Sequence, residues 1–184
     1  LAVGYNYPIL KHISFRIKGG QKVVMTGFNG IGKSTLLKTL MGQIPSMEGH
    51  FDFSPQAKIG YFEQELGWPD DTRTPIQIVS DAVPDRIVKE IRKHLAQCGI
   101  SARHAMQPIG TLSGGEQVKV KMALLTLSPC NFLIMDEPTN HLDVSAKDSL
   151  KTALCEFSGT VLLVSHEELF YRDWIEKIID IEKC

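Results

Sequence analysis

Long apolar runs are missing from this chain. No stretch approaches the about 18 consecutive apolar residues that cross a bilayer as a helix, so no span is read from it. No basic segment followed by an apolar one opens the chain, which excludes a readable signal peptide. Cysteine is scarce: Cys98, Cys130, Cys155 and Cys184 stand far apart and form no C-x-x-C pair. That spacing predicts reduced thiols in a cytosolic compartment and no sulfur-based metal site. Charge of one sign is also lacking. Lys and Arg number 20 against 21 Asp and Glu, for a net charge of −1. No run of Lys or Arg is long enough to make an electrostatic footprint for nucleic acid. Lys89, Arg92, Lys93 and His94 share a predicted helix with Asp85 and Glu90, which reads as a solvated face. Internal repeats, low-complexity segments and sustained heptads are absent. The chain starts at Leu1 and falls into a structured pattern within a few residues, so we read it as a piece of a longer protein.

What the chain does have is 184 residues with 43% hydrophobic content, enough for one sizeable core. It also has Gly27-Phe28-Asn29-Gly30-Ile31-Gly32-Lys33-Ser34-Thr35. The spacing is G-x-x-x-x-G-K-[ST], a phosphate-binding loop. Lys22–Thr26 before it reads as a strand and Leu36–Met41 after it as a helix, the context the motif requires. Glycines let the backbone turn tightly and bring N–H groups to phosphate oxygens, and the helix points its N-terminus at the same place. Lys33 is placed to reach the β- and γ-phosphates and Ser34 to offer its hydroxyl to Mg²⁺.

Taken in order, Ile13–Ile17 and Val23–Met25 read as short strands joined by Lys18-Gly19-Gly20-Gln21. Tyr5 and Tyr7 precede them and could stack on a base or cover a sheet edge. The first helix is expected to end near Gly42. Phe51–Phe53 and Lys58–Phe62 alternate like strands, and Gln64 follows the second. Pro75–Ala82 and Asp85–Cys98 have helical spacing, with Ile87, Val88, Ile91 and Leu95 on one face of the latter. Ile109–Gly115 is a polar, glycine-containing loop, and Glu116–Leu127 is helical again. Asn131–Glu137 and Thr160–His166 are apolar runs suited to strands buried on both faces. Val144–Phe157 is an amphipathic helix, and 175–181 gives a last helical turn and strand. Strands alternating with helices mean an α/β chain with a mainly parallel sheet. Ligands of such sheets bind beyond the carboxyl ends of the strands, where Gly27, Gln64, Asp136, Glu137 and His166 fall.

Asp136 and Glu137 end an apolar strand in a chain that also carries a phosphate loop. One acid near Mg²⁺ and one near a water is what nucleotide hydrolysis needs. Leu112-Ser113-Gly114-Gly115-Glu116-Gln117 opens a helix and makes a second anion-ready N-terminus. One phosphate loop has no use for it, so it suits a nucleotide bound to another domain.

With these five landmarks in order, the whole chain resembles the nucleotide-binding domain of ATP-binding-cassette proteins. The resemblance implies a P-loop NTPase core over 1–64 and 130–184, with a small antiparallel β subdomain and a helical subdomain inserted at about 65–129. It implies ATP and Mg²⁺ as ligands and ATP hydrolysis as the activity. Gly27, Asn29, Gly30, Gly32, Lys33, Ser34 and Thr35 would bind the phosphates. Ser34, Gln64 and Asp136 would hold Mg²⁺, and Glu137, His166, Lys33 and Gln64 would serve catalysis. Ser113, Gly114, Gly115 and Glu116 would meet the nucleotide of a facing cassette, and Asp143 would lie in the loop crossing that interface. Tyr5 is favoured over Tyr7 as the adenine-stacking aromatic. Glu137-Pro138-Thr139-Asn140-His141-Leu142-Asp143 is similar to the segment typical of the soluble F subfamily. Such proteins carry two cassettes and act in the cytoplasm on the ribosome as translation or antibiotic-resistance factors. The partners implied are a second cassette and, through parts absent here, the ribosome, with no membrane insertion. The energy-coupling subunit of a membrane transporter is the alternative. Lys119 and Glu167 depart from the commoner arginine and aspartate, and both keep the charge.

Overall fold

In a computed structural model the described residues are 1–62, 67–127, 130–140 and 142–183. They divide into two compact units, one of residues 1–62, 131–138 and 159–184, the other of residues 63–130 and 139–158.

The first unit is built on five parallel strands. They are β3 (Lys22–Thr26), β4 (Ile59–Phe62), β5 (Phe132–Asp136), β6 (Thr160–Val164) and β7 (Lys177–Asp180), in the order β4-β5-β6-β3-β7. Val23, Val24, Met25, Leu133, Ile134, Met135 and Val161–Val164 are fully buried, as strands covered on both faces require. Helix α1 (Lys33–Leu40) lays Leu36, Leu37 and Leu40 into the cluster formed by Val23, Met25, Ile134 and Leu162. Gly42 ends it at φ 72°, with Gln43 N–H returning to the Lys38 carbonyl at 2.9 Å, the left-handed stop that glycine allows. A two-stranded antiparallel sheet, β1 (Val3–Gly4) with β2 (Pro8–Leu10), carries Tyr5 and Tyr7 at its tip. A short α6 (Glu168–Tyr171) follows β6.

The second unit is helical. Its elements are α2 (Pro75–Ala82), α3 (Val88–Gln97), α4 (Gly114–Leu127) and α5 (Val144–Glu156), with one-turn 3₁₀ helices at His104–Met106 and Ile109–Thr111. α2 starts at a complete capping box, Thr74 with Gln77, and has Pro75 in its first turn. Ile76, Val79, Ile91, Leu95, Ile100, Ile109 and Val120 close its core.

Three local expectations are corrected. Ile13–Ile17 is not a strand. Its alternation of covered and exposed residues is real, but among the described residues its backbone pairs only at Ile13, with Leu1, at 2.9 and 3.1 Å, so no ladder forms. Phe51–Phe53 is likewise irregular, held by edge-to-face packing of Phe53 on Phe132 at 5.6 Å. In the 85–98 helix, Ile87 is the N-cap and Val88 the first residue, and they are 61% and 49% exposed. Only Ile91 and Leu95 form the buried face. Asp85 lies before the helix, and Lys89, Glu90, Arg92 and Lys93 are solvated as expected, but His94 is half-buried, with Nε2 2.8 Å from Thr126 Oγ1.

Candidate functional site

Parallel register brings the chemistry of the first unit to one edge. Thr26 pairs with Asp180, Met25 with Val164, and Asp136 with Val164. The residues one step beyond the strands are therefore neighbours: Gly27, Glu137, Ser165 and Ile181. This is the carboxyl edge, where open α/β sheets bind ligands.

The phosphate loop is shaped by backbone that other residues resist. Gly27, Gly30 and Gly32 have φ of 154°, 86° and 112°. A Cβ on Gly27 would also lie 2.8 Å from Ile181 Cγ1, and one on Gly32 would lie 2.8 Å from Ile9 Cγ2. Gly32 is the N-cap of α1, so the helix begins at Lys33 with no side-chain oxygen filling its N-terminus. An anion there meets unshared N–H groups. Lys33 is buried, and its Nζ donates to the carbonyls of Gly27 at 2.7 Å and Phe28 at 3.1 Å. An ammonium has three N–H donors, so one remains for a phosphate oxygen. Asn29 and Ser34 are exposed and Thr35 is buried.

Asp136 ends β5 at 5% exposure. Its Oδ1 is buried without a hydrogen-bond partner among the described residues. Burial raises its carboxyl above the usual carboxylate range, opposed by the Ser34 hydroxyl and the Lys33 and Lys38 ammonium groups. An orphaned carboxylate oxygen beside a serine hydroxyl is an incomplete set of hard oxygen donors, which suits Mg²⁺. Glu137 follows in left-handed backbone, φ 43°, a conformation costing a non-glycine residue about 1–3 kcal/mol and concentrated at functional sites. Its N–H donates to the Val164 carbonyl at 2.9 Å, which fixes the turn. Its Oε2 accepts from His166 Nδ1 at 2.9 Å, leaving Oε1 to a solvent molecule. His166 is set by a serine turn: Ser165 Oγ accepts from Glu167 N–H at 3.1 Å.

A stability prediction follows from Asp136. Its folded pKa is raised, so the ionised form is the disfavoured one. The stability this carboxyl contributes is present below the ordinary carboxylate pKa and is lost as pH rises through the raised value. At neutral pH the charge is a cost. Asp136→Asn keeps the shape and removes the charge. It is expected to stabilise the nucleotide-free domain by about 1 kcal/mol, or about 2–4 °C. The gain shrinks toward acid pH while Mg²⁺-dependent turnover is lost. Thermal denaturation at two pH values checks this, and a lower midpoint at pH 7 would count against it.

In the second unit, Ser113 and Gly114 are exposed at the start of α4. Glu116 closes a capping box on Ser113: its Oε2 accepts from the serine N–H and Oγ, each at 3.0 Å, and its N–H donates back at 3.3 Å. Burial raises the Glu116 carboxyl, but the Ser113 hydrogen bonds and the charge of His104 prevail and hold it below its ordinary value. Gln117 takes the Trp68 indole N–H at 2.9 Å and donates to the Leu112 carbonyl at 3.1 Å, bracing the loop from its other side. A Cβ on Gly115 would lie 2.8 Å from Ala146 Cβ and 3.8 Å from Asp143 Oδ1. The absent side chain is what lets α4 meet the first turn of α5. Asp143 caps that turn, accepting from Ala146 N–H at 2.7 Å.

The structure thus brings Lys33, Ser34, Asp136, Glu137 and His166 to one edge of the first unit, and Ser113–Glu116 and Asp143 to one helix pair of the second. Gln64 lies outside the described residues, as does His141. Tyr5 and Tyr7 are 59% and 72% exposed, which leaves both open as stacking surfaces. Two participants were not read from sequence. Glu182 Oε1 accepts the Phe28 N–H at 2.9 Å, placing a carboxylate on the phosphate loop, and His104 Nδ1 pairs with Glu116. Neither belongs to a motif.

Comparisons with known proteins identify the family. A family model described as ABC transporter matches residues 10–140. Among curated proteins, YfmM of Bacillus subtilis, an uncharacterized ABC transporter ATP-binding protein, is 44% identical over 94% of this chain and 33% of its own length. Protein GCN20 of Saccharomyces cerevisiae is 36% identical over 91% of the chain and 23% of its own length. Human ATP-binding cassette sub-family F member 3 is 40% identical over 90% of the chain and 24% of its own length. The chain thus spans a third or less of these relatives. Among solved structures, a putative ABC transporter ATP-binding protein from Pyrococcus furiosus superposes with TM-score 0.83 at 25% identity, covering 100% of this chain and 95% of that one. A dimeric ATP-binding cassette in a post-hydrolysis state with ADP and Pi shares the fold at TM-score 0.77, with 24% identity, over 94% of this chain and 86% of that one. The chain belongs to the ATP-binding-cassette family, as an ATPase domain whose ligands are ATP and Mg²⁺.

Proposed function

We propose that this domain is one of two cassettes in an F-subfamily protein that acts on the ribosome, and that two cassettes close on two Mg-ATP molecules. The observation that supports the F-subfamily role is the segment Glu137–Asp143, together with relatives named as sub-family F members at 40% identity. The match occupies 24% of the human member's length, which leaves room there for a second cassette and a linker.

In this scheme Gly27–Thr35 cradle the phosphates, Lys33 pairs with the outermost ones, and Ser34 and Asp136 hold Mg²⁺. The metal, when bound, neutralises charge on the phosphates. Glu137 orients and deprotonates the attacking water, and His166 holds that carboxylate in place and turns toward the γ-phosphate. Gln64 and the stacking Tyr5 complete the cis site. Ser113, Gly114 and Gly115 face the nucleotide of the other cassette, and Asp143 stands at the interface. The near-neutral charge of the domain agrees with ribosome contact through other parts of the parent protein.

The test is sedimentation of the parent protein carrying Glu137→Gln, which stalls it with ATP. Expected is ATP-dependent co-migration with ribosomes in the cytoplasmic fraction. Recovery in membranes, with none on ribosomes, would assign the domain to a transporter's energy-coupling subunit instead. Among the described residues no helix is long and apolar enough to cross a membrane.

A further inference from the structure

Ser113 is held by a relay whose outer member has no part in the scheme above. The serine N–H and Oγ both donate to Glu116 Oε2, and Glu116 Oε1 is paired with His104 Nδ1. His104 opens the 3₁₀ turn His104–Met106, and its own N–H is fixed by Ser101 Oγ at 3.1 Å. The imidazole is 36% exposed and the carboxylate 24%, so the pair is neither lost in solvent nor sealed in the core.

To donate to a phosphate, the Ser113 hydroxyl must turn away from Glu116. The carboxylate then loses one of its donors while an anion arrives beside it. A glutamate has three side-chain torsions and, untethered, is pushed off its cap by that anion, because like charges repel. His104 ties the far oxygen down. Glu116 can then keep the Ser113 N–H and the helix cap while the hydroxyl is released.

Taking the signature to meet the γ-phosphate of a facing nucleotide, as in the scheme above, we propose that His104 is a positioning residue for that encounter. It holds Glu116 so that Ser113 can exchange its carboxylate partner for a phosphate oxygen.

The test compares His104→Ala with His104→Asn, whose amide N–H₂ stands near the position of Nδ1. Both are made in the Glu137→Gln background. ATP-dependent association of the domain is followed by analytical ultracentrifugation. Binding of a fluorescent ATP analogue to dilute monomer reports the cis site. His104→Ala is expected to weaken association about tenfold and His104→Asn to recover most of that loss, with monomer binding unchanged in both. Association of His104→Ala equal to its parent overturns the assignment of His104 alone. No ATP-dependent association of the Glu137→Gln domain itself overturns the facing-cassette scheme and this proposal with it. If the thermal midpoint falls in His104→Ala and association falls only in step with it, recovering together with it in His104→Asn, His104 is a structural residue only and the proposal is overturned.

Discussion

Glu137→Gln is expected to leave ATP affinity within about twofold of the parent and to lower turnover by about 10²–10⁴-fold, the range for losing a positioned base. The substitution is nearly isosteric. The left-handed backbone at φ 43° and the N–H bond to Val164 are independent of the side chain, so the turn persists. The amide oxygen can still accept from His166 Nδ1, which now lies 2.9 Å from Oε2. What is lost is the ability of the other oxygen to take a proton from water. Single-turnover hydrolysis and equilibrium nucleotide binding separate the two effects. A variant that hydrolyses within tenfold of the parent would remove Glu137 from the base role and leave it a structural partner of His166.

Lys33→Ala carries the second large effect. The ammonium is at 7% exposure and spends two N–H groups on the Gly27 and Phe28 carbonyls, which aim the third into the loop. Removing it deletes a preorganised positive charge from a partly desolvated site, and truncating one partner of a buried charge pair costs about 2–5 kcal/mol, roughly 10²–10³-fold in affinity. ATP affinity is expected to fall by that factor, whereas affinity for adenosine, which has no phosphate, is expected to change little. Lys33→Arg does not rescue, because a planar fork cannot satisfy two loop carbonyls and a phosphate as a compact ammonium does. Calorimetric titration with both ligands checks the pattern. Equal losses for ATP and adenosine would mean the loop itself had collapsed.

Much of this was legible in the sequence because its signals are short-range. β3, β5 and β6 announce themselves as apolar runs, and β3 covers Lys22–Thr26, one residue beyond the Val23–Met25 strand at each end. Gly27–Thr35 is marked by its own glycines, and the fold class followed from strands alternating with helices. What was misread depended on partners distant in sequence. Ile13–Ile17 alternates because one side is covered, and alternation reports covering rather than a ladder. Ile87 and Val88 fit a helical stripe but sit at its first turn, where nothing packs on them deeply. Glu182 on the phosphate loop and His104 on Glu116 are single side chains delivered by tertiary structure, 154 residues away in the first case. No periodicity or motif could have marked them.

The exposed serine end of α4 lies in one unit and the phosphate loop in the other, and in the proposed function they meet across two copies. The most direct test is the dependence of ATP turnover on concentration of this domain. Specific activity that rises with concentration, together with ATP-dependent dimers of Glu137→Gln, is the predicted result. Fast turnover that is the same per domain at every concentration, with the domain monomeric throughout, would contradict a site completed in trans.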